Sequence, residues 1–531
     1  MMKKVIKKLL AALLAVAMVC AMAIPAFAYD TEEDIDKNHC YDAFQIFDGV
    51  VSDDNTISNV QWGKNIPHPE DFLPKLKADS TLSSEFANAD SLQEVLDVMK
   101  GWTTSDDNSI AFARFVCNYI YTDANADSNP VLQGGHTGAF EVQKPGYYLI
   151  VDTSSFSSDA NGDSYHAYNS FLLKVTKAHY HIQITPKVEK PTVEKKVYDN
   201  DDNSSWGDNN GWGSSADHAI NEEFKFRLIA KLPASEGRAY DYYKKYTVCF
   251  NDTLSNGISF DKLDTVEITN GDGGASQVID AANYTLTPND PQSFFKLSID
   301  DVKTCVPDLN KGATITVTYT AHLNENAAVN GSTENKNSVR LQYSNNPRPD
   351  GEYWGYTPNY TPESEVYVYT YQLNNTKLAE NKHGAPLKDV GFRLYSDADY
   401  KNEVELYQDG EFYYPIKNAS NKQAVEMKSA EDGTFNVKGL DAGTYYLKET
   451  KTPADYNPCD VPPVIIKANH KGNQVDLNGS TLSTTIINKK AGGITLPSTG
   501  GIGTTIFYVV GGGLMVAAIV LLVTKKRMEN K

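Results

Sequence analysis

The chain has 531 residues and a formal net charge of −19. Its length implies about three domains. Its acidic balance excludes an ordinary nucleic-acid-binding role, because a phosphate backbone needs a basic face. Hydrophobic residues make up 40% of the chain, enough for packed cores, and 32 Tyr with many Thr, Val and Asn suit β-sheet joined by turns. Besides Cys20, the cysteines are Cys40, Cys117, Cys249, Cys305 and Cys459, scattered with no C-x-x-C spacing. A zinc site of the usual cysteine kind is not expected, and an odd number cannot all pair as disulfides.

The N-terminus runs from a basic start, Met1-Met-Lys-Lys-Val-Ile-Lys-Lys, through an apolar stretch from Leu9 to Ile24 to Pro25-Ala26-Phe27-Ala28. Basic start, apolar middle and A-x-A ending predict a secretory signal peptide over 1–28, with the mature chain starting near Tyr29. Residues 29–186 then read as a mixed α+β domain. It opens on a strand from Tyr41 to Val51. Asp90-Ser91-Leu92-Gln93 reads as a capping box ahead of helically spaced Leu92, Val95, Leu96 and Met99, and a second helix is expected over Ile110–Ile120. Phe140–Val151 and Ser170–Ile184 read as strands.

Residues 187–365 alternate as strands at Phe224–Leu232, Tyr246–Phe250, Ala313–Leu323 and Ser338–Tyr343. The Asp/Asn/Ser/Gly stretch from Asp199 to Gly213 superficially resembles a calcium loop but lacks Gly and Glu at EF-hand offsets. It reads as a solvated loop, and neither a metal nor a cofactor is expected. Residues 366–490 carry short strands at Tyr367–Leu373, Gly391–Tyr395, Gly443–Glu449, Val464–Lys467 and Thr484–Asn488, the pattern of an immunoglobulin-like β-sandwich. The fold expected overall is mainly β: tandem sandwiches behind an α+β domain.

The C-terminal part, 491–531, holds a short linker, Leu496-Pro497-Ser498-Thr499-Gly500, an uncharged stretch from Thr504 to Val523 and Lys525-Lys526-Arg527. About twenty such residues span a bilayer, with the basic tail inside. The pentapeptide resembles the sortase signal L-P-x-T-G. The resemblance implies cleavage between Thr499 and Gly500 by a cysteine transpeptidase, which holds the threonine as a thioester and passes it to an amine. Membrane anchoring is then transient.

Tyr445-Tyr446-Leu447-Lys448-Glu449-Thr450-Lys451-Thr452-Pro453-Ala454-Asp455-Tyr456 resembles the E-box of pilin domains related to collagen-adhesin B repeats, departing at Thr452 and Asp455. Lys377-Leu-Ala-Glu ahead of Ala385-Pro386-Leu387 through Tyr395 resembles that family's opening, and Thr485-Ile486-Ile487-Asn488-Lys489 its last strand. The resemblance implies an internal isopeptide from Lys377 to Asn488, with Glu449 shuttling protons. A lysine in water is protonated and not nucleophilic; burial in an apolar core lowers its pKa and keeps a neighbouring acid neutral.

Pro191-Thr192-Val193-Glu194-Lys195-Lys196-Val197 resembles the opening of middle pilin domains. Asn251-Asp252-Thr253-Leu254-Ser255-Asn256-Gly257 resembles their D-x-L-x-x-G turn, and Asn335 to Pro347 their closing strand. Lys195, Asp252 and Asn337 are the implied reactive set. Lys196 and Asn335 remain rivals, because one residue of register decides which face is buried. The first domain's opening strand, Tyr41–Phe47, has no lysine, so no such bond is expected there.

His181-Ile182-Gln183-Ile184-Thr185-Pro186-Lys187-Val188 resembles the pilin motif ending Y-P-K, with Thr185 where Tyr is usual. It implies that Lys187 attacks the sortase-held threonine of the next subunit. The chain as a whole resembles a sortase-assembled backbone pilin of Gram-positive bacteria. That resemblance implies a cell-wall-anchored pilus shaft whose partners are a pilin-type sortase, further copies of the chain, minor pilins, and the housekeeping sortase with peptidoglycan. The competing reading is a wall-anchored adhesin, or a tip or basal pilin, that binds a host ligand. A hydrolase is disfavoured: there is no H-E-x-x-H and no G-x-S-x-G.

Overall fold

The computed structural model describes residues 39–51, 57–103, 106–136, 140–154, 167, 170–176, 180–182, 190–199, 211–288, 294–347 and 359–492. The signal peptide, Lys187 and the sorting signal lie outside these residues.

The first domain contains strands β1 (Cys40–Val51), β2 (Ile57–Trp62), β3 (Leu132–His136), β4 (Phe140–Val142), β5 (Gly146–Asp152), β6 (Ser170–Val175) and β7 (Tyr180–Ile182). Its sheet runs β2-β1-β5-β6, with β3 also on β1, while β4 pairs with β7. β5 is buried along its whole length because each face has its own core: Tyr147, Leu149 and Val151 meet the helices, and Tyr148 and Ile150 meet Tyr41 and Val175. The two long strands expected after Phe140 and Ser170 are thus each broken in two.

Helices Leu92–Met99 and Asp107–Thr122 form where helical spacing predicts them. The capping box sits one residue later than read. Ser91 Oγ accepts from the Glu94 N–H at 3.3 Å, and Glu94 Oε2 accepts from the Asp90 N–H at 2.9 Å. A glutamate at the third helical position can reach back in this way, whereas Gln93 turns to Asp97. Helices Pro69–Ala78 and Ser83–Phe86 were not expected; Pro74 inside the first of them interrupts the pattern.

The second domain is a sandwich of two six-stranded sheets. Its strands are β8 (Thr192–Tyr198), β9 (Trp212–Gly213), β10 (Ser215–Asp217), β11 (Glu223–Leu232), β12 (Val248–Leu254), β13 (Ile258–Asn270), β14 (Gln277–Val278), β15 (Tyr284–Pro288), β16 (Phe294–Ile299), β17 (Ala313–Leu323), β18 (Lys336–Tyr343) and β19 (Ser364–Tyr369). One sheet runs β14-β13-β17-β11-β8-β9 and the other β10-β19-β18-β12-β16-β15. Strict alternation in β11 and β17 sends Phe224, Phe226, Leu228, Ile315, Val317 and Tyr319 into the core. β19 pairs with β18 and β10 in this domain, so the sheets divide at Thr370 rather than after residue 365.

The third domain contains β20 (Tyr371–Ala379), β21 (Gly391–Tyr395), β22 (Leu406–Asp409), β23 (Phe412–Pro415), β24 (Met427–Lys428), β25 (Asn436–Leu440), β26 (Gly443–Lys451), β27 (Val464–Ile466), β28 (Asn469–Lys471), β29 (Gln474–Asp476) and β30 (Ser483–Asn488). Sheets β22-β23-β25-β20-β30 and β24-β21-β26-β27 enclose its core, with β28-β29 as a separate hairpin. The first and last strands, β20 and β30, lie side by side and parallel.

The second and third domains share a packed joint. Tyr407, Tyr414 and Ile416 join the second domain's core, and the Ile220 N–H donates to Gly439 O at 2.9 Å. Gly439 holds φ +88°, and a Cβ there would meet Ile220 Cδ1 at 2.4 Å. Gly439→Ala should therefore cost about 2–4 kcal/mol from strained φ and overpacking, read as a lower denaturation midpoint of the ectodomain.

Candidate functional site

In the second domain the pleat of β8 decides between the two adjacent lysines. Lys195 points into the sandwich and is 2% exposed, while Lys196 turns outward and pairs with Glu194 at 3.6 Å. Asp252 lies on the opposing sheet in β12, and Asn337 begins the inward face of β18 beside it; both are fully buried. Asp252 is thus a strand residue in the core and not part of a turn. Lys195 Nζ donates to Asp252 Oδ2.

Tyr319, which sequence reasoning did not single out, connects the set. Its hydroxyl accepts from Lys195 Nζ at 3.0 Å and from Asn337 Nδ2 at 2.6 Å, and donates to Asp252 Oδ1 at 3.2 Å. Its signal was a polar-tipped ring on the inward face of an otherwise apolar strand. Phe226 and Tyr319 also face the lysine, with ring centroids 5.1 and 5.2 Å from Nζ.

Asn335 is buried too, but its amide is engaged elsewhere. Its Nδ2 donates to Ala328 O and Val368 O, and its Oδ1 accepts from the Ala328 N–H. Asn337 Oδ1, by contrast, is buried with no hydrogen-bond partner among the described residues.

The electrostatics match the geometry. Burial pushes Lys195 down to about 8 against the opposing pull of Asp252. Burial likewise raises the Asp252 carboxyl, although Lys195 and Tyr319 pull it the other way. An amine easier to deprotonate beside an acid easier to protonate is a pair poised to exchange one proton.

The third domain assembles a second set differently. Lys377 on β20 and Asn488 on β30 are fully buried on neighbouring strands, with Ala379 opposite Asn488 in register. Lys377 Nζ donates to Asn488 Oδ1. Glu449, on β26 of the facing sheet, accepts from Asn488 Nδ2 at 2.7 Å and lies 3.5 Å from Lys377 Nζ.

Cys459 completes this set and was not anticipated, since it lies in an irregular segment without periodicity. Its thiol donates to Glu449 Oε2 at 3.1 Å and lies 3.4 Å from Lys377 Nζ. Burial, and then the bond to Glu449, push the thiol up to about 11, so it stays protonated as a donor. Cys40, Cys117, Cys249, Cys305 and Cys459 form no disulfide with one another.

Lys187, Leu496, Pro497, Ser498, Thr499 and Gly500 lie outside the described residues. Among the described residues no helix is long and apolar enough to cross a membrane; the stretch from Thr504 to Val523 is not among them.

Residues 372–481 match the model of the SpaA prealbumin-like fold domain, and residues 488–530 that of the LPXTG cell wall anchor motif. No curated protein matches the chain. Among solved structures, a Streptococcus pyogenes backbone pilin with a modular three-domain structure is 16% identical, with a TM-score of 0.51 over 86% of this chain and 97% of that one. The major pilin SpaD of Corynebacterium diphtheriae is 20% identical, with a TM-score of 0.41 over 70% of this chain and 87% of that one. A C-terminal fragment of the major pilin GBS80 of Streptococcus agalactiae is 22% identical, with a TM-score of 0.39 over 56% of this chain and 99% of that one. The chain is thus a cell-wall-anchored surface protein that carries a SpaA prealbumin-like fold domain and is similar in fold to a backbone pilin of modular three-domain structure.

Proposed function

We propose that this chain is the shaft subunit of a covalent pilus, joined head to tail by a pilin-type sortase through Lys187 and Thr499 and stapled internally by Lys195–Asn337 and Lys377–Asn488 isopeptides. The observation that carries the internal bonds is the pair of dry lysine–acid–asparagine sets. In each, the lysine nitrogen attacks the asparagine Cγ. A C–N bond forms, the bond to the amide nitrogen breaks, and ammonia leaves. The acid, Asp252 or Glu449, takes a proton from the amine and returns one to the leaving nitrogen. Glu449 accepts a hydrogen bond from that leaving nitrogen already. Holding the reactants together replaces activation by an external agent.

One amine and one carbonyl per subunit make a linear fibre, because a head-to-tail contact that does not close propagates. The internal loops span 142 positions from Lys195 to Asn337 and 111 from Lys377 to Asn488. On the chain-entropy account each bond contributes roughly 4–5 kcal/mol. Under tension they also spare the fibre from relying on hydrogen bonds worth about 1 kcal/mol each. The housekeeping sortase then transfers the finished fibre to peptidoglycan.

The ectodomain should weigh about 34 Da less than its sequence, roughly 17 Da for each ammonia lost as nucleophile and acyl group condense. Intact-mass spectrometry reads this directly: full mass sinks both bonds, and a single loss sinks one.

Glu449→Ala should leave the third domain folded, restore one ammonia mass and lower its melting temperature, since the proton shuttle is gone. Formation of the Lys377–Asn488 bond in that variant would reduce Glu449 to a structural role.

Lys187→Ala, co-expressed with its sortase, should abolish the high-mass ladder of wall extracts on denaturing gels while leaving monomer attached to the wall. Tryptic peptides from wild-type fibres should contain Lys187 joined to Thr499. A ladder persisting in the variant would move the linkage to another lysine, Lys190 being nearest. A wild type with no ladder would favour the anchored-adhesin reading.

A further inference from the structure

Asp199, Asp217 and His470 meet at the joint between the second and third domains. Asp199 follows β8, Asp217 ends β10, and His470 sits on the β28-β29 hairpin of the third domain. Their side chains are 3%, 0% and 1% exposed. Asp199 begins the stretch read from sequence as a solvated loop, yet its carboxylate is in the interior.

Two carboxylates meet His470 in a dry joint, with the buried His218 a second imidazole whose charge reaches Asp217. Buried carboxylates are costly unless protons or a metal ion balance them. The spacing is also informative. His470 Nε2 lies 3.3 Å from Asp217 Oδ1 and 3.6 Å from Asp199 Oδ2. Charge-assisted hydrogen bonds close to about 2.7–2.9 Å. Ligands held about 2.0–2.2 Å from a tetrahedral zinc ion stand roughly 3.3–3.6 Å apart. All three ligand atoms lie within 4.8 Å of one another.

The surroundings are arranged as support for such a site. His470 Nδ1 is 2.9 Å from Ser215 Oγ, and the Gly472 N–H donates to the same oxygen at 3.1 Å. In the tautomer that donates Nδ1–H to Ser215, the Nε2 lone pair faces both carboxylates. A second hydrogen bond of this kind orients most metal-bound histidines. The Asp217 backbone N–H donates to Asp199 Oδ2 at 3.0 Å, fixing that carboxylate. Asp217 Oδ2 is buried and makes no close hydrogen bond among the described residues, with the Tyr371 hydroxyl the polar group that influences the Asp217 carboxylate.

The geometry points to a divalent transition-metal site, best suited to zinc, formed by Asp199, Asp217 and His470, which clamps the third domain's β28-β29 hairpin onto the second domain. One imidazole with two carboxylates suits zinc over calcium or magnesium, which take six or more oxygens. The inference stands apart from the cross-links and the sortase chemistry, since none of these residues takes part in them.

The test is isothermal titration of the metal-stripped ectodomain with zinc, calcium and magnesium chlorides, with metal content measured after dialysis. One zinc per chain is expected, bound at least about 100-fold more tightly than calcium or magnesium. Ser215→Ala should weaken zinc binding roughly 10–100-fold, as loss of an outer partner does, and His470→Ala and Asp217→Asn should weaken it more. His68→Ala, in the exposed cluster His68-Glu70-Asp71, should leave binding unchanged. A readout independent of variant folding is cobalt(II) absorption of the wild type, with the strong visible bands of a tetrahedral site expected. Absence of stoichiometric zinc in the wild type, weak octahedral cobalt bands, or zinc binding intact in both His470→Ala and Asp217→Asn overturns the site. Loss of binding in His68→Ala overturns it equally, by moving the metal to the first domain.

Discussion

Everything distinctive in this molecule follows from placing a lysine amine in a dry interior next to an acid and a carboxamide. An isolated ammonium does not survive there, so it must be paired, neutralised or consumed. Both domains meet this demand by closing a sandwich over the lysine. In the second domain, lysine and acid come from opposite sheets and Tyr319 bridges them to Asn337. In the third, the lysine and asparagine strands run parallel side by side, and the acid descends from the facing sheet with Cys459 behind it. Aspartate is shorter than glutamate, and the second domain makes up the difference with a phenol; the third, with the longer acid, contacts the asparagine amide directly.

The same strands that carry these groups also connect the second domain to the third. β20 follows β19 with one residue between them, so the third domain's buried lysine, Lys377, is on the strand that leaves the second domain. The joint around that crossing is not a loose linker. Tyr407, Tyr414 and Ile416 pack into the second domain's core, Lys438 Nζ donates to Glu325 O at 2.8 Å, and Tyr369 OH donates to Gly472 O at 2.8 Å. A close backbone approach at Gly439 and the buried Asp199-Asp217-His470 cluster belong to this one surface. Such a joint holds the two domains together as a packed body rather than as a hinge.

Much of this was legible in the residue order, because local rules wrote it. Two-residue alternation marked β11, β17 and β18. The order of Lys377, Glu449 and Asn488 around an E-box, and the pentapeptide at Leu496, marked chemistry that depends on residue type and spacing along the chain. Where local signals conflicted, boundaries moved: Pro74 concealed a helix, and Ser91 with Glu94 took the cap from Asp90 with Gln93.

By itself, then, the sequence determined the anchoring signal, the mainly β fold class and which residues are candidates for reaction. Only the tertiary structure decided that the buried Asn335 amide is spent on Ala328 and Val368 while Asn337 stays beside Asp252, and which of Lys195 and Lys196 turns into the common core. That choice depends on a pleat whose phase is set by partner strands far away in sequence. Tertiary structure alone also brought Tyr319 to Asp252, Cys459 to Glu449 and His470 to Asp217. These contacts join separate strands or domains, and no periodicity along one segment encodes which side chain from another will meet it.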